Sequence, residues 1–159
     1  MGEAAEQAIP LSTRKVIVLP TRTIPQGITA MLNFNPDLDG DTNAIEMQKA
    51  YANVQTGQVT FAARDSDYDG KQIKKGELLA LANGKVSFTE TDLEKCVIKL
   101  TKNLSTRDTS FVTLIYGEDV EEKQAETISN ALQEKLGSNI EVTLVNGGQP
   151  VYYFIMSVE

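Results

Sequence analysis

No histidine occurs anywhere in the 159 residues. That excludes imidazole acid–base catalysis, Ser–His and Cys–His nucleophile pairs and His-ligated zinc. Carboxylate or lysine chemistry stays open, but the commonest catalytic side chain is missing. Cysteine is nearly absent too: Cys96 stands alone, so no intrachain disulfide can form, which fits a reducing cytoplasm. No apolar run approaches the roughly 18 residues of a membrane-spanning helix. The opening Met1-Gly2-Glu3-Ala4-Ala5-Glu6 has neither the basic and apolar regions of a signal peptide nor the hydroxyl residue of a myristoylation signal. Positive charge is scarce, with 15 Lys and Arg against 22 Asp and Glu and a net charge of −7. Such a field repels nucleic acid and anionic lipid in bulk. Lys71, Lys74 and Lys75 form the only tight basic group.

What is present is ordinary globular material, 41% apolar and 23% charged. The length suits one domain, 1–159, able to bury about two-thirds of its unfolded surface. Glu3 to Ala8 reads as the tail of a helix stopped by Pro10. Val16 to Leu19 is an unbroken, β-branched run, the pattern of a strand covered on both faces. Pro25 suits the first turn of a helix running through Ile28, Met31 and Leu32. After a polar loop from Asn35, Asp41 or Thr42 could cap a helix whose Ala44, Met47, Tyr51 and Val54 share one face, with Thr56-Gly57 as its break. Val59, Phe61 and Ala63 alternate as in a half-buried strand, and Asp65 to Gly70 reads as a turn.

Asn83-Gly84 between Leu78–Ala82 and Lys85–Phe88 is the strongest short hairpin signal, because both turn residues need positive φ. Thr89 would then open a helix carrying Leu93, Cys96, Val97, Leu100 and Leu104 on one stripe. Phe111–Tyr116 reads as a strand. Glu121–Leu136 reads as a helix closed by Gly137. Strands follow at Ile140–Leu144 and Val151–Val158, with a Gly147-Gly148 turn between them. The pattern predicts a mixed α/β or α+β sheet with helices on its faces, antiparallel at the hairpin and at the two terminal strands.

Several segments invite a functional reading. Asp65-Ser66-Asp67-Tyr68-Asp69-Gly70 copies the opening of a calcium-binding loop, but the closing bidentate Glu is replaced by Gly76, with Glu77 one place late. A turn is the better reading, and no metal site is expected. Asp37, Asp39 and Asp41 read as a solvated loop with a helix cap. Gly147-Gly148-Gln149-Pro150 leads into a strand, where a phosphate loop would lead into a helix, so a tight turn is favoured. Cys96 on its apolar stripe reads as a buried structural thiol. The segment of greatest weight is Thr21-Arg22-Thr23-Ile24-Pro25-Gln26-Gly27. It joins an apolar strand to a helix start, where hydroxyls and free amides can meet an acidic group. Capping of the helix by Thr23 is the equal alternative.

These residues resemble a known family. Val18-Leu19-Pro20-Thr21-Arg22-Thr23-Ile24-Pro25-Gln26-Gly27 is similar to the V-x-P-T-K-S-I-P-Q-G segment of the C-terminal domain of the bacterial fatty acid kinase ATP-binding subunit. This is a dihydroxyacetone-kinase-like family. Thr56-Gly57-Gln58-Val59-Thr60, Arg64-Asp65, Asp69-Gly70 with Ile73-Lys74-Lys75-Gly76, and Tyr116-Gly117-Glu118-Asp119 match in the same order. So does the ending Gly147-Gly148-Gln149-Pro150-Val151-Tyr152 with Ser157-Val158-Glu159. The match at Ala4-Ala5-Glu6-Gln7-Ala8 places the start inside a family helix. It implies a C-terminal fragment truncated at its N-terminus, lacking the preceding strand and P-N-N-x-N loop. Arg22-Thr23 departs from the usual Lys-Ser but keeps a cation beside a hydroxyl.

The resemblance implies a DegV/dihydroxyacetone-kinase-like fold. It also implies a non-catalytic domain that docks a DegV-like fatty-acid-binding protein while the other domains of the full-length chain phosphorylate the carried fatty acid for phospholipid synthesis. ATP and magnesium would belong to the parent kinase, and this fragment would hold no cofactor. On that reading the partner- or ligand-binding candidates are Thr21, Arg22, Thr23, Pro25, Gln26, Gly27, Arg64, Asp65, Gly147, Gly148, Gln149 and Pro150. Partners would be the DegV-like protein and the chain's own N-terminal and middle domains, in the bacterial cytoplasm. The alternative is an α/β domain that itself binds a fatty acid or phosphate.

Overall fold

A computed structural model describes residues 2–68 and 70–159. The chain falls into two compact units, residues 1–54 and 55–159.

The first unit is helical. A short helix α1 (Gly2–Glu6) and a 3-10 turn (Ile9–Leu11) precede an irregular stretch. Helix α2 (Ile24–Leu32) is capped by Thr23, whose side chain accepts from the Gln26 amide, with Pro25 in its first turn. Helix α3 (Gly40–Ala52) is capped by Asp39, whose carboxylate accepts from the amides of Asp41 and Thr42 and from the Thr42 hydroxyl. The cap therefore lies two residues before the expected Asp41. Hydrogen bonds from Thr42 hold the Asp39 carboxyl below its ordinary value. A small core of Ala30, Tyr51 and Val54 joins the two long helices. Val16 to Leu19 is not a strand. A strand needs a neighbour to take its backbone bonds, and no ladder among the described residues includes this segment.

The second unit is a six-stranded sheet in the order β5-β4-β1-β8-β6-β7. Its strands are β1 (Gln55–Phe61), β4 (Leu78–Ala82), β5 (Lys85–Glu90), β6 (Phe111–Tyr116), β7 (Glu141–Asn146) and β8 (Phe154–Val158). Two short strands, β2 (Ser66–Tyr68) and β3 (Lys71–Ile73), pair separately. Residues 66–68 are thus a strand where a turn was expected, and Asp69 lies outside the described residues. The sheet is partly parallel: β6 and β7 run parallel and every other pair in it is antiparallel. The two terminal strands do not pair with each other, because β6 lies between β7 and β8. Asn83 and Gly84 both have positive φ, 50° and 83°, as the β4–β5 hairpin requires.

Two helices cover one face of the sheet. Helix α4 (Leu93–Leu104) is capped by Asp92, whose side chain accepts from the Lys95 amide, not by Thr89, which lies in β5. Helix α5 (Glu122–Leu136) ends at Gly137, φ 81°. The α4 stripe Cys96, Val97, Leu100 and Leu104 packs with Ala125, Ile128 and Leu132 of α5 over Val59, Val112, Leu114 and Met156 of the sheet. Each fully buried aliphatic side chain of this kind contributes about 1.5–3 kcal/mol. Thr56-Gly57 does not break a helix but sits inside β1. The glycine is needed there because a Cβ would stand 2.5 Å from Met156 Cγ and 2.9 Å from Leu104 Cδ1.

Candidate functional site

The segment of greatest sequence weight, Thr21 to Gly27, forms the start of α2. Gln26 is its organiser. The Thr23 hydroxyl accepts from the Gln26 amide at 3.3 Å, and Gln26 Oε1 accepts from the Arg22 amide at 2.8 Å. This is a reciprocal cap, with two orphan donors satisfied by neighbouring side chains. Pro25 is buried, Thr21, Thr23, Gln26 and Gly27 are half-buried, and Arg22 is exposed. The capping role of Thr23 is therefore realised. It uses the Arg22 and Gln26 amides internally, so those two donors are not free for an acidic group. Beyond the cap, α2 leaves Ile24, Ile28, Met31 and Leu32 exposed, the last two at 74% and 80%.

Arg64 and Asp65 are exposed just before β2. Asp65 Oδ1 accepts from the Lys75 amide at 2.7 Å, and Asp67 Oδ1 accepts from the Gly70 amide at 3.1 Å. Both carboxylates of the calcium-like motif are thus engaged in local backbone structure. Its third, Asp69, lies outside the described residues.

Gly147 to Pro150 joins β7 to β8. The amides of Gly147 and Gly148 both donate to the Tyr116 carbonyl, at 3.0 and 3.2 Å. Gln149 Nε2 donates to the carbonyls of Ile115 and Tyr152. A Cβ on Gly147 would collide with Ile115 Cγ2 and Gln149 Oε1. The loop is thus a turn that closes on the end of β6, with its first two amides spent. Thr21–Gly27 belongs to residues 1–54, and the other candidates belong to residues 55–159.

A groove of about 510 Å³ appears where no sequence motif pointed. It runs between α5 and the ends of β6 and β7, lined by Tyr116, Glu122, Glu126, Ser129, Asn130, Val142, Leu144 and Asn146. The register explains it. Leu114 pairs with Leu144, and Tyr116 pairs with Asn146, so the last residues of two parallel strands stand side by side. Glu122, Glu126 and Asn130 follow at four-residue steps along α5. Only the four-residue spacing was visible in the sequence, and exposed helix faces commonly carry it. A smaller pocket of about 240 Å³ in the first unit is largely apolar, lined by Ile17, Leu19, Phe34, Ala44 and Met47, with Lys15 at its rim. Lys15 pairs there with Asp41 at 2.6 Å.

Comparison with known proteins decides the relationship. The family model for the C-terminal region of FakA-like fatty acid kinase proteins matches residues 1–159. The chain belongs to that family. Protein YloV of Bacillus subtilis (strain 168) is 40% identical to it over 156 residues, covering 98% of this chain and 28% of YloV. An uncharacterized protein of Staphylococcus aureus (strain USA300) is 33% identical over the same length, again 98% of this chain and 28% of the relative. The family chain described here thus spans less than a third of these relatives. In fold it is similar to the crystal structure of a fatty acid binding DegV family protein from Streptococcus agalactiae. The TM-score is 0.59 and the identity 15%, over 98% of this chain and 64% of that one. At that identity the likeness concerns architecture alone. Among the described residues, no helix is long and apolar enough to cross a membrane.

Proposed function

We propose that this chain is a non-catalytic docking region of a bacterial fatty acid kinase. It would engage a DegV-like fatty-acid-binding protein while other parts of the longer protein phosphorylate the carried fatty acid in the cytoplasm. The observation that carries this reading is the family match across residues 1–159, in relatives more than three times as long. The lack of histidine, a Cys96 thiol sealed in the core and the capping use of Thr23 all fit a surface that recognises without reacting. The exposed apolar residues of α2, with Arg22 beside them, offer a surface of the composition that protein interfaces favour.

The alternative, that the chain itself holds a fatty acid, draws support from the DegV-like architecture. It is disfavoured by the cavities. The groove of about 510 Å³ beside α5 is polar, and the apolar pocket of about 240 Å³ lies below the range of about 300–1,000 Å³ usual for ligand sites.

The test is calorimetry of this chain against a cognate, fatty-acid-loaded DegV-like protein. Saturable binding is expected, weakened by Arg22→Glu. No association at high micromolar concentration overturns docking. Acyl phosphate formed from ATP and magnesium by this chain unaided would overturn the non-catalytic assignment.

A further inference from the structure

The groove between α5 and β7 is unusual in its unspent polar groups. None of Tyr116, Glu122, Glu126, Ser129, Asn130 and Asn146 makes a side-chain hydrogen bond or ion pair with a described residue. Two of them are deeply set: Tyr116 is 5% exposed and Ser129 9%. Buried hydroxyls normally find partners. Tyr51 has the only side-chain donor or acceptor sealed from solvent without one among the described residues. The hydroxyls of Tyr116 and Ser129 are therefore unpartnered and keep access to solvent, on two residues that line the groove.

Charge selects the ligand. Glu122 and Glu126 lie four apart on one helix face, and no Lys or Arg lines the groove. The start of α5 supplies only about half a positive charge from its free amides. Two full carboxylates outweigh it, so an anion is repelled and a cation is drawn in. The unpartnered hydroxyl and amide oxygens accept hydrogen bonds, which a cation with several N–H donors can supply. Val142 and Leu144, half-buried on the same wall, suit an aliphatic stem. The volume, about 510 Å³, lies within the usual range for ligand sites of about 300–1,000 Å³. The groove sits at the C-terminal ends of β6 and β7, the parallel pair of the sheet.

We infer that this groove is a binding site for an alkylguanidinium or alkylammonium group, seated on Glu122 and Glu126 and hydrogen-bonded by Tyr116 and Ser129. The group is supplied either by a basic side chain of a polypeptide or by a free small amine. The site lies wholly within residues 55–159 and does not depend on carrier docking.

The experiment is an NMR titration of the isotope-labelled chain with propylguanidinium chloride, with sodium propionate as the opposite-charge control. Saturable millimolar binding is expected, with shifts at the amides of 116, 122–130 and 142–146 and none from propionate. Glu122→Gln with Glu126→Gln changes only exposed side chains. It should leave the rest of the spectrum in place and weaken binding by at least about tenfold. Agmatine and a capped Ala-Arg-Ala peptide separate the sources. Tighter binding of the peptide assigns the site to a polypeptide, and equal or tighter binding of agmatine assigns it to a small amine. Shifts that do not saturate, that map elsewhere, or that survive the double substitution overturn the proposal.

Discussion

At the scale of single residues, Cys96 shows how packing sets chemistry. It is fully buried on α4, and burial pushes its thiol up to about 12, with the Glu90 carboxylate adding to the rise and Lys99 opposing it. The ordinary value is 9.0. Between those values the unfolded chain gives up a proton that the folded chain keeps. The stability that depends on the neutral thiol is therefore complete below about pH 9 and is lost as the pH rises towards about 12. Urea midpoints followed from about pH 8 to about pH 10.5 should fall more steeply for the native chain than for Cys96→Ala. Equal slopes would contradict the assignment. The structural role of this thiol was legible because its neighbours at Val97, Leu100 and Leu104 recur at helical spacing. The groove hydroxyls were not legible. Tyr116 reads as one more apolar residue in a strand, and Ser129 as one more small residue in a helix. Only the fold sets them beside Glu122 and Glu126.

At the scale of elements, Gly57 couples β1 to both β8 and α4. Gly57→Ala would drive a methyl group against Met156 and Leu104. Overpacking of this kind typically costs about 1–3 kcal/mol. A denaturant midpoint lowered to that extent is expected, with part of the loss recovered when Met156→Ala makes room. An unchanged midpoint would show that the sheet and helix are looser there than they look. Most elements were readable from local signals: the Asn83-Gly84 hairpin, the α4 stripe, the α5 helix closed by Gly137, and β6 at its observed bounds. The misreadings share a cause. Thr89, Asp41 and Thr56-Gly57 carry generic cap or breaker chemistry, and the final choice fell to a neighbour two or three residues away or to tertiary packing. Val16–Leu19 has the composition of a strand, but composition cannot supply the adjacent strand that would complete its hydrogen bonds. The pairing of β7 with β6 rather than β8 is a question of topology that sequential order alone leaves open.

At the scale of the whole molecule, the two units differ in how much core they own. The large cluster from Val59 to Val158 lies within residues 55–159, whereas among the described residues of 1–54 only Ala30, Tyr51 and Val54 are buried as a cluster. Residues 55–159 expressed alone should keep dispersed amide resonances and melt cooperatively, and residues 1–54 alone should not. A non-cooperative melt of the larger piece would mean that its core is not self-sufficient. The strand order carries one more consequence. Residues 154–158 fill the slot between β1 and β6, so Gln55 must wait for Val158. Because β8 follows every strand it joins in the chain, the β5-β4-β1 and β6-β7 halves stay unjoined until residues 154–158 are available for pairing. A chain deprived of residues 154–158 would carry two open sheet margins facing an empty lane, the state most exposed to capture by chaperones or to aggregation.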